Sequence, residues 1–216
     1  LSKIPFAIAK VVGQPPANRV ELEINVGQIP PGLYPLRCAT AQGISNPAVL
    51  SVDTFPTQPF APQIASLPVA LVGNLPGAQV LKTTFQGTKG QTVTLDVEAQ
   101  RLGSNLRPTV RLYDPRGRQV AWSPPRYQVG GDARCTTALT LDGLYVIELH
   151  DQLYKAADPA PFRLKIGDFG YAEATFPLAV RSGTKATLTT LLGNLPQSIP
   201  WEAAADLPPG LTPTPW

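Results

Sequence analysis

The chain has 216 residues, 43% of them apolar, with a formal net charge of +3. That length allows one large or two small domains with a real core, and the apolar content excludes wholesale disorder. The charge is too mild to point to nucleic acid, two Cys do not make a disulfide framework, and no apolar run approaches the roughly 18 residues of a membrane span.

Pro (25) and Gly (18) make up about a fifth of the residues, which suits short strands joined by turns rather than helices. The chain begins at Leu1 and contains no Met, which suggests a processed product or an excised piece. No charged and apolar leader pattern marks its start.

Residues 1–55 read as a partial immunoglobulin-like β domain. Val20, Leu22, Ile24 and Val26 alternate with Glu21, Glu23 and Asn25, the pattern of a half-buried strand. Pro30-Pro31-Gly32 turns the chain, Tyr34, Leu36 and Cys38 begin the next strand, and Val49–Val52 forms a third. Residues 56–65 are expected to be a Pro-rich linker, because Pro56, Pro59 and Pro62 lack the N–H a ladder needs.

The segment 66–168 reads as a complete unit. Strands are expected at Val69–Val72, Gln79–Phe85, Thr92–Ala99, Thr109–Tyr113, Gln119–Trp122, Ala133–Leu141, Tyr145–Leu149 and Phe162–Ile166. The third is the clearest, with Val93, Leu95, Val97 and Ala99 inward and Thr94, Asp96 and Glu98 outward. Eight short strands at this spacing predict an all-β protein built on an antiparallel β-sandwich of jelly-roll type, with further Ig-like β segments at both ends.

Residues 172–216 open a further β domain through Phe176, Leu178, Val180 and Leu188–Leu192, followed by an irregular tail from Pro196. This segment is either the edge of a neighbouring domain or a partner for 1–55. Leu71–Pro76 (LVGNLP) recurs as Leu191–Pro196 (LLGNLP), which suggests that each domain opens with the same strand and turn.

The run Glu98 to Ser104, the run Pro108 to Asp114 with Gly117, then Gly131-Asp132-Ala133-Arg134 and Asp142-Gly143-Leu144-Tyr145 together resemble the bacterial pre-peptidase C-terminal domain family. The likeness is nearest to versions in large exported planctomycete-type proteins and covers about 100 residues. Pro31-Gly32-Leu33-Tyr34 and Gly43-Ile44-Ser45-Asn46-Pro47 are similar to the end of an IPT/TIG Ig-like domain. The resemblance implies a non-catalytic β-sandwich, periplasmic, exported or at the cell surface, that serves localisation or binding beside other domains of one parent protein. Some members of that family bind calcium through acidic loops. Here the corresponding loop is Ser123-Pro124-Pro125-Arg126, so no cofactor is expected.

Candidate chemistry is sparse. His150, the sole histidine, neighbours Asp151 in a strand where adjacent side chains point apart, so it reads as a surface or second-layer residue rather than half of a catalytic pair. Cys38 and Cys135 share parity with apolar neighbours and read as small buried hydrophobes, with an interdomain disulfide as the alternative. Asp114 with Asp132, and Asp151 with Asp158, have the chemistry for calcium, but turn-capping explains them better. Gly32 and Gly143 each stand two residues before a Tyr at a strand start. Tyr34 and Tyr145 therefore resemble tyrosine corners, a structural role.

One stretch is basic and aromatic. Between Arg101 and Arg134 lie seven Arg against two acids. Arg116, Arg118, Trp122, Arg126, Tyr127 and Arg134 are the candidate ligand-binding residues, since Arg forks suit carboxylate or sulfate and aromatic rings stack on sugars. The parity of Trp122 with Val120 argues instead that Trp122 is core. The leading expectation is a non-enzymatic structural or interaction module. The alternative is a carbohydrate-binding module for acidic polysaccharide, with polysaccharide or a cell-surface protein as partner.

Overall fold

The computed structural model describes residues 9–11, 20–22, 29, 31–195 and 197–205. The fold is nearly all β, in two compact units, one within Leu1–Thr54 and one within Phe55–Pro209.

In the first unit, β1 (Ala9–Val11) pairs antiparallel with β2 (Val20–Leu22); Ile24 and Val26 lie outside the described residues. Strand β3 (Gly32–Leu36) is followed by β4 (Ala39–Thr40), β5 (Gly43–Ile44) and β6 (Ala48–Val52), with β3 on β6 and β4 on β5. Tyr34 and Val52 are buried, packed by Ile29, Leu36 and Leu50. Cys38 corrects the expectation of burial. Strand β3 stops at Leu36, so the alternation does not reach Cys38, which is exposed and free.

The second unit begins with β7 (Thr57–Pro59), inside the expected linker. It adds to β8 (Val69–Asn74) as a parallel edge strand, with Ala70 N donating to Pro56 O at 2.9 Å and Phe60 N to Val72 O at 2.8 Å. On an edge strand Pro59 can face its missing donor away from the ladder, which is why proline did not exclude a strand here. The chain then crosses to the other sheet, where Thr84 N donates to Pro62 O and Ile64 N to Thr84 O, and Ile64 enters the core.

Strands β9 (Val80–Gly87), β10 (Thr92–Glu98), β11 (Pro108–Tyr113), β12 (Gln119–Ser123), β13 (Arg134–Ala138), β14 (Gly143–Asp151) and β15 (Pro161–Gly167) complete the sandwich. One sheet runs β13-β10-β15-β8-β7 and the other β12-β11-β14-β9. Counting from β8, the sheets take the first, eighth, third and sixth strands, and the second, seventh, fourth and fifth. That is the jelly-roll order. Between them, Leu71, Val93, Leu95, Val97, Leu164 and Ile166 meet Phe85, Val110, Leu112, Tyr145, Ile147 and Leu149.

Strands β16 (Ala172–Phe176), β17 (Lys185–Gly193) and β18 (Ser198–Glu202) form a three-stranded antiparallel sheet of their own. The tail read as irregular from Pro196 contains β18, with Ile199 opposite Leu188; Pro200 is tolerated because β18 is an outer strand. Residues 206–216 lie outside the described residues. The repeated hexapeptide marks strand exits rather than opening strands. It ends β8 and β17, and each Asn accepts from the backbone of the neighbouring chain, Asn74 from Ala160 N at 2.6 Å and Asn194 from Tyr171 N at 2.8 Å.

Candidate functional site

The two sheets differ on their outer faces. Of the residues of β10 that point away from the core, the two nearest its end are acidic and their cross-strand partners are basic: Asp96 lies opposite Arg134 and Lys165, and Glu98 opposite Arg163. Asp96, wholly buried, accepts from Arg101 at 2.6 Å and Arg134 at 3.0 Å, with Lys165 Nζ at 3.2 Å. Glu98 pairs with Arg163 at 3.0 Å and Lys165 at 2.9 Å. Arg101 reaches this layer from a 3-10 turn over Gln100–Leu102 and also donates to Asp132 at 2.8 Å.

Aromatic rings roof the layer. The Arg134 guanidinium lies 4.6 Å from the Tyr171 ring centre, and Lys165 Nζ is 5.7 Å from both Phe55 and Phe169. Burial alone would push the Asp96 carboxyl up. Arg101, Lys165 and Arg134 more than offset it and hold the group well below the usual carboxylate range. Four cations satisfy three buried acids, so the layer is a second, ionic core.

The candidate arginines and aromatics do not converge. Arg134 belongs to the buried layer, and Arg126 donates to Glu173 at 2.7 Å. Arg116 and Arg118 are exposed on the turn between β11 and β12, where their backbone N–H groups both donate to Asp114 at 2.9 Å. Tyr127 stands 95% exposed on a separate 3-10 turn. Trp122 is not core but 54% exposed on the outer face of the four-stranded sheet. The parity argument fails there because a bulge lets β12 pass two residues, Gln119 to Ala121, against one step of β11, Leu112 to Tyr113.

Trp122 stands at one end of a row that sequence reasoning missed. Register places Trp122 beside Arg111, Arg111 beside Glu148, and Glu148 beside Lys82, one residue from each strand. Glu148 accepts from the Tyr113 hydroxyl at 2.9 Å and pairs with Lys82 at 2.7 Å. Burial raises the Glu148 carboxyl's pKa, but these two partners and Arg111 bring it below its ordinary value. The available signal was the outward parity of each strand, but the pairing of the strands was needed to align it.

His150 lies on this same outer face, as its parity required, yet it is buried rather than at the surface. The Tyr154 ring stacks on it at 4.6 Å and 2° between planes, and Nδ1 lies 2.9 Å from Asp151 O.

The aspartates serve the backbone. Asp132 accepts from the amides of Ala99, Gln100 and Arg101, and Asp151 from those of Arg107, Leu153 and Lys155. Asp158 accepts from the Asn74 side chain at 3.4 Å. Among the described residues no three His, Cys, Asp or Glu side chains gather as metal ligands. Cys135 is free and packs against the core, and burial pushes its thiol up to about 12. The Tyr145 hydroxyl donates to Leu141 O at 2.9 Å and accepts from Leu141 N at 3.1 Å, clamping the corner that Gly143 turns at φ +134° against Pro115. No described helix is long and apolar enough to cross a membrane.

No family model matches the chain, and no curated protein matches it. Among solved structures it is similar to a periplasmic inhibitor of g-type lysozyme from Aeromonas hydrophila, at 20% identity over 53% of this chain and 95% of that one, with a TM-score of 0.39. It is also similar to the pre-peptidase C-terminal domain of collagenase from Bacillus anthracis, at 13% identity over 54% of this chain and 99% of that one, with a TM-score of 0.38.

Proposed function

We propose that the chain is a non-catalytic structural and interaction module of a larger exported or cell-surface bacterial protein. The observation that carries this reading is the ionic layer. Asp96, Glu98 and Asp132, three buried acids, are committed to Arg101, Arg134, Arg163 and Lys165. Such pairing favours one packed arrangement over reactivity. Export, a planctomycete-type parent and an IPT/TIG-like first unit are proposed on the sequence likenesses of residues 98–145 and 31–47 alone. The proposed partners are the other domains of the parent and a polysaccharide or surface protein outside it; no cofactor is assigned.

The test is a turnover screen of the purified chain against peptide, ester and glycoside substrates, together with fractionation of cells making the parent. No turnover and recovery outside the cytoplasm are expected. Reproducible turnover that survives repurification would overturn the reading.

A second reading, recognition of acidic polysaccharide, is favoured by Trp122, whose indole is left open on a rigid sheet face. Of the six residues proposed for it, Arg126 and Arg134 are committed elsewhere.

A further inference from the structure

The row Trp122–Arg111–Glu148–Lys82 crosses all four strands of one sheet, a span of about 14 Å at normal strand spacing. Its middle is held in place before any ligand arrives, because Glu148 is tied to both the Tyr113 hydroxyl and Lys82. Its two cations face one carboxylate. Glu148 is taken by Lys82, whereas Arg111 makes no ion pair among the described residues and hydrogen-bonds the Tyr113 hydroxyl, which holds it in place and leaves the rest of its planar fork for an anion. At the rim, Trp122 keeps more than half of its surface in solvent, a costly exposure for the largest apolar side chain. A strand-adding peptide would use a backbone edge, and the β9 edge is already taken by residues 62–64. Here the available chemistry is on the face: an aromatic platform, an anion fork and hydroxyl-binding groups in line.

We propose that this face binds a polysaccharide bearing carboxylate or sulfate groups, laid across the strands with Trp122 stacking on a sugar ring and Arg111 holding an acidic substituent. The proposal rests on reading the chain as a non-catalytic binding module and moves the site from the arginine loops to the sheet. Arg116 and Arg118, at the end of the same hairpin, add positive potential but no ring.

The experiment is calorimetric titration of the full chain with polygalacturonate, dextran sulfate, neutral dextran and polyglutamate. Polygalacturonate or dextran sulfate should bind, and which of them binds tells carboxylate from sulfate recognition. Trp122→Ala and Arg111→Ala should each weaken binding about tenfold or more. Arg111→Lys should recover only part of the loss, since it restores charge without the fork. Phe176→Ala, which removes an exposed aromatic ring from β16 on another sheet, should bind as the parent does. Thermal unfolding of each variant confirms that it folds.

Binding that ignores Trp122→Ala and Arg111→Ala, equal binding of polyglutamate, or no binding to either acidic glycan would overturn the proposal. Chain cleavage of the polysaccharide in the same cell, read as new reducing ends, would instead overturn the non-catalytic reading.

Discussion

On the five-stranded sheet, Asp96 and Glu98 point away from the core and are buried all the same; on the four-stranded sheet, Glu148 points away from the core and meets solvent at its edge. Asp96 and Glu148 lie within their strands and Glu98 at the end of β10, and all three pair with bases on neighbouring strands. The difference lies in what covers them. Phe55, Phe169 and Tyr171 roof the first face, so its ion pairs act at low dielectric and become structural. The second face, apart from the His150–Tyr154 stack, has no such roof among the described residues, and its ion pair reaches solvent at Lys82. One sandwich thus closes one outer face within its own architecture and leaves the other open.

The strongest way to break this contrast is Arg101→Met, which strips a cation from both Asp96 and Asp132. Asp96 keeps Arg134 and Lys165 and Asp132 keeps its backbone amides, so thinning the compensation of two buried carboxylates should cost about 3 kcal/mol in urea unfolding. A loss below about 1 kcal/mol would mean the layer is wetter than its burial implies.

Acid should act on the same layer. The Asp96 carboxyl is lowered by its three cations against burial, and that of Asp151 by backbone amides against burial. Folded pKa values below the unfolded ones mean that the contribution is present above about pH 4 and lost as pH falls towards the folded values. Melting temperature should therefore fall steadily below pH 4 and vary little from these groups between pH 5 and 7. A flat profile down to pH 3 would contradict the assignment.

A smaller effect sharpens the comparison within the open-faced sheet. Tyr145→Phe removes the hydroxyl that both donates to and accepts from Leu141, and should cost about 1–2 kcal/mol. No change on denaturation would remove the corner's structural role.

Much of this was legible from residue alternation. Period-two patterning located all eight strands of the jelly roll within a few residues, and glycine spacing pointed to the Tyr145 corner. Three things were not legible, each because it depends on chain pairing. Alternation says that Asp96 leaves the core but not that another layer waits for it. The bulge at Val120 reversed the inference for Trp122, since one extra residue changes which side follows. The proline-rich segment before β8 was mistaken for linker because an edge strand, unlike a central one, tolerates a missing donor. The candidate site suffered most. Clustering of arginine in sequence brought Arg126 and Arg134 into one list with Trp122, while the register that aligns Trp122 with Arg111, Glu148 and Lys82 joins residues up to 66 positions apart.

The most direct measurement is a matched pair of urea unfolding curves for Asp96→Asn and Glu148→Gln, near-isosteric neutralisations of one mid-strand acid on each face. Asp96→Asn should lose about 3–5 kcal/mol, and Glu148→Gln no more than about 1 kcal/mol. Equal losses, or a larger loss from Glu148→Gln, would contradict the division of the sandwich into a structural face and a free one.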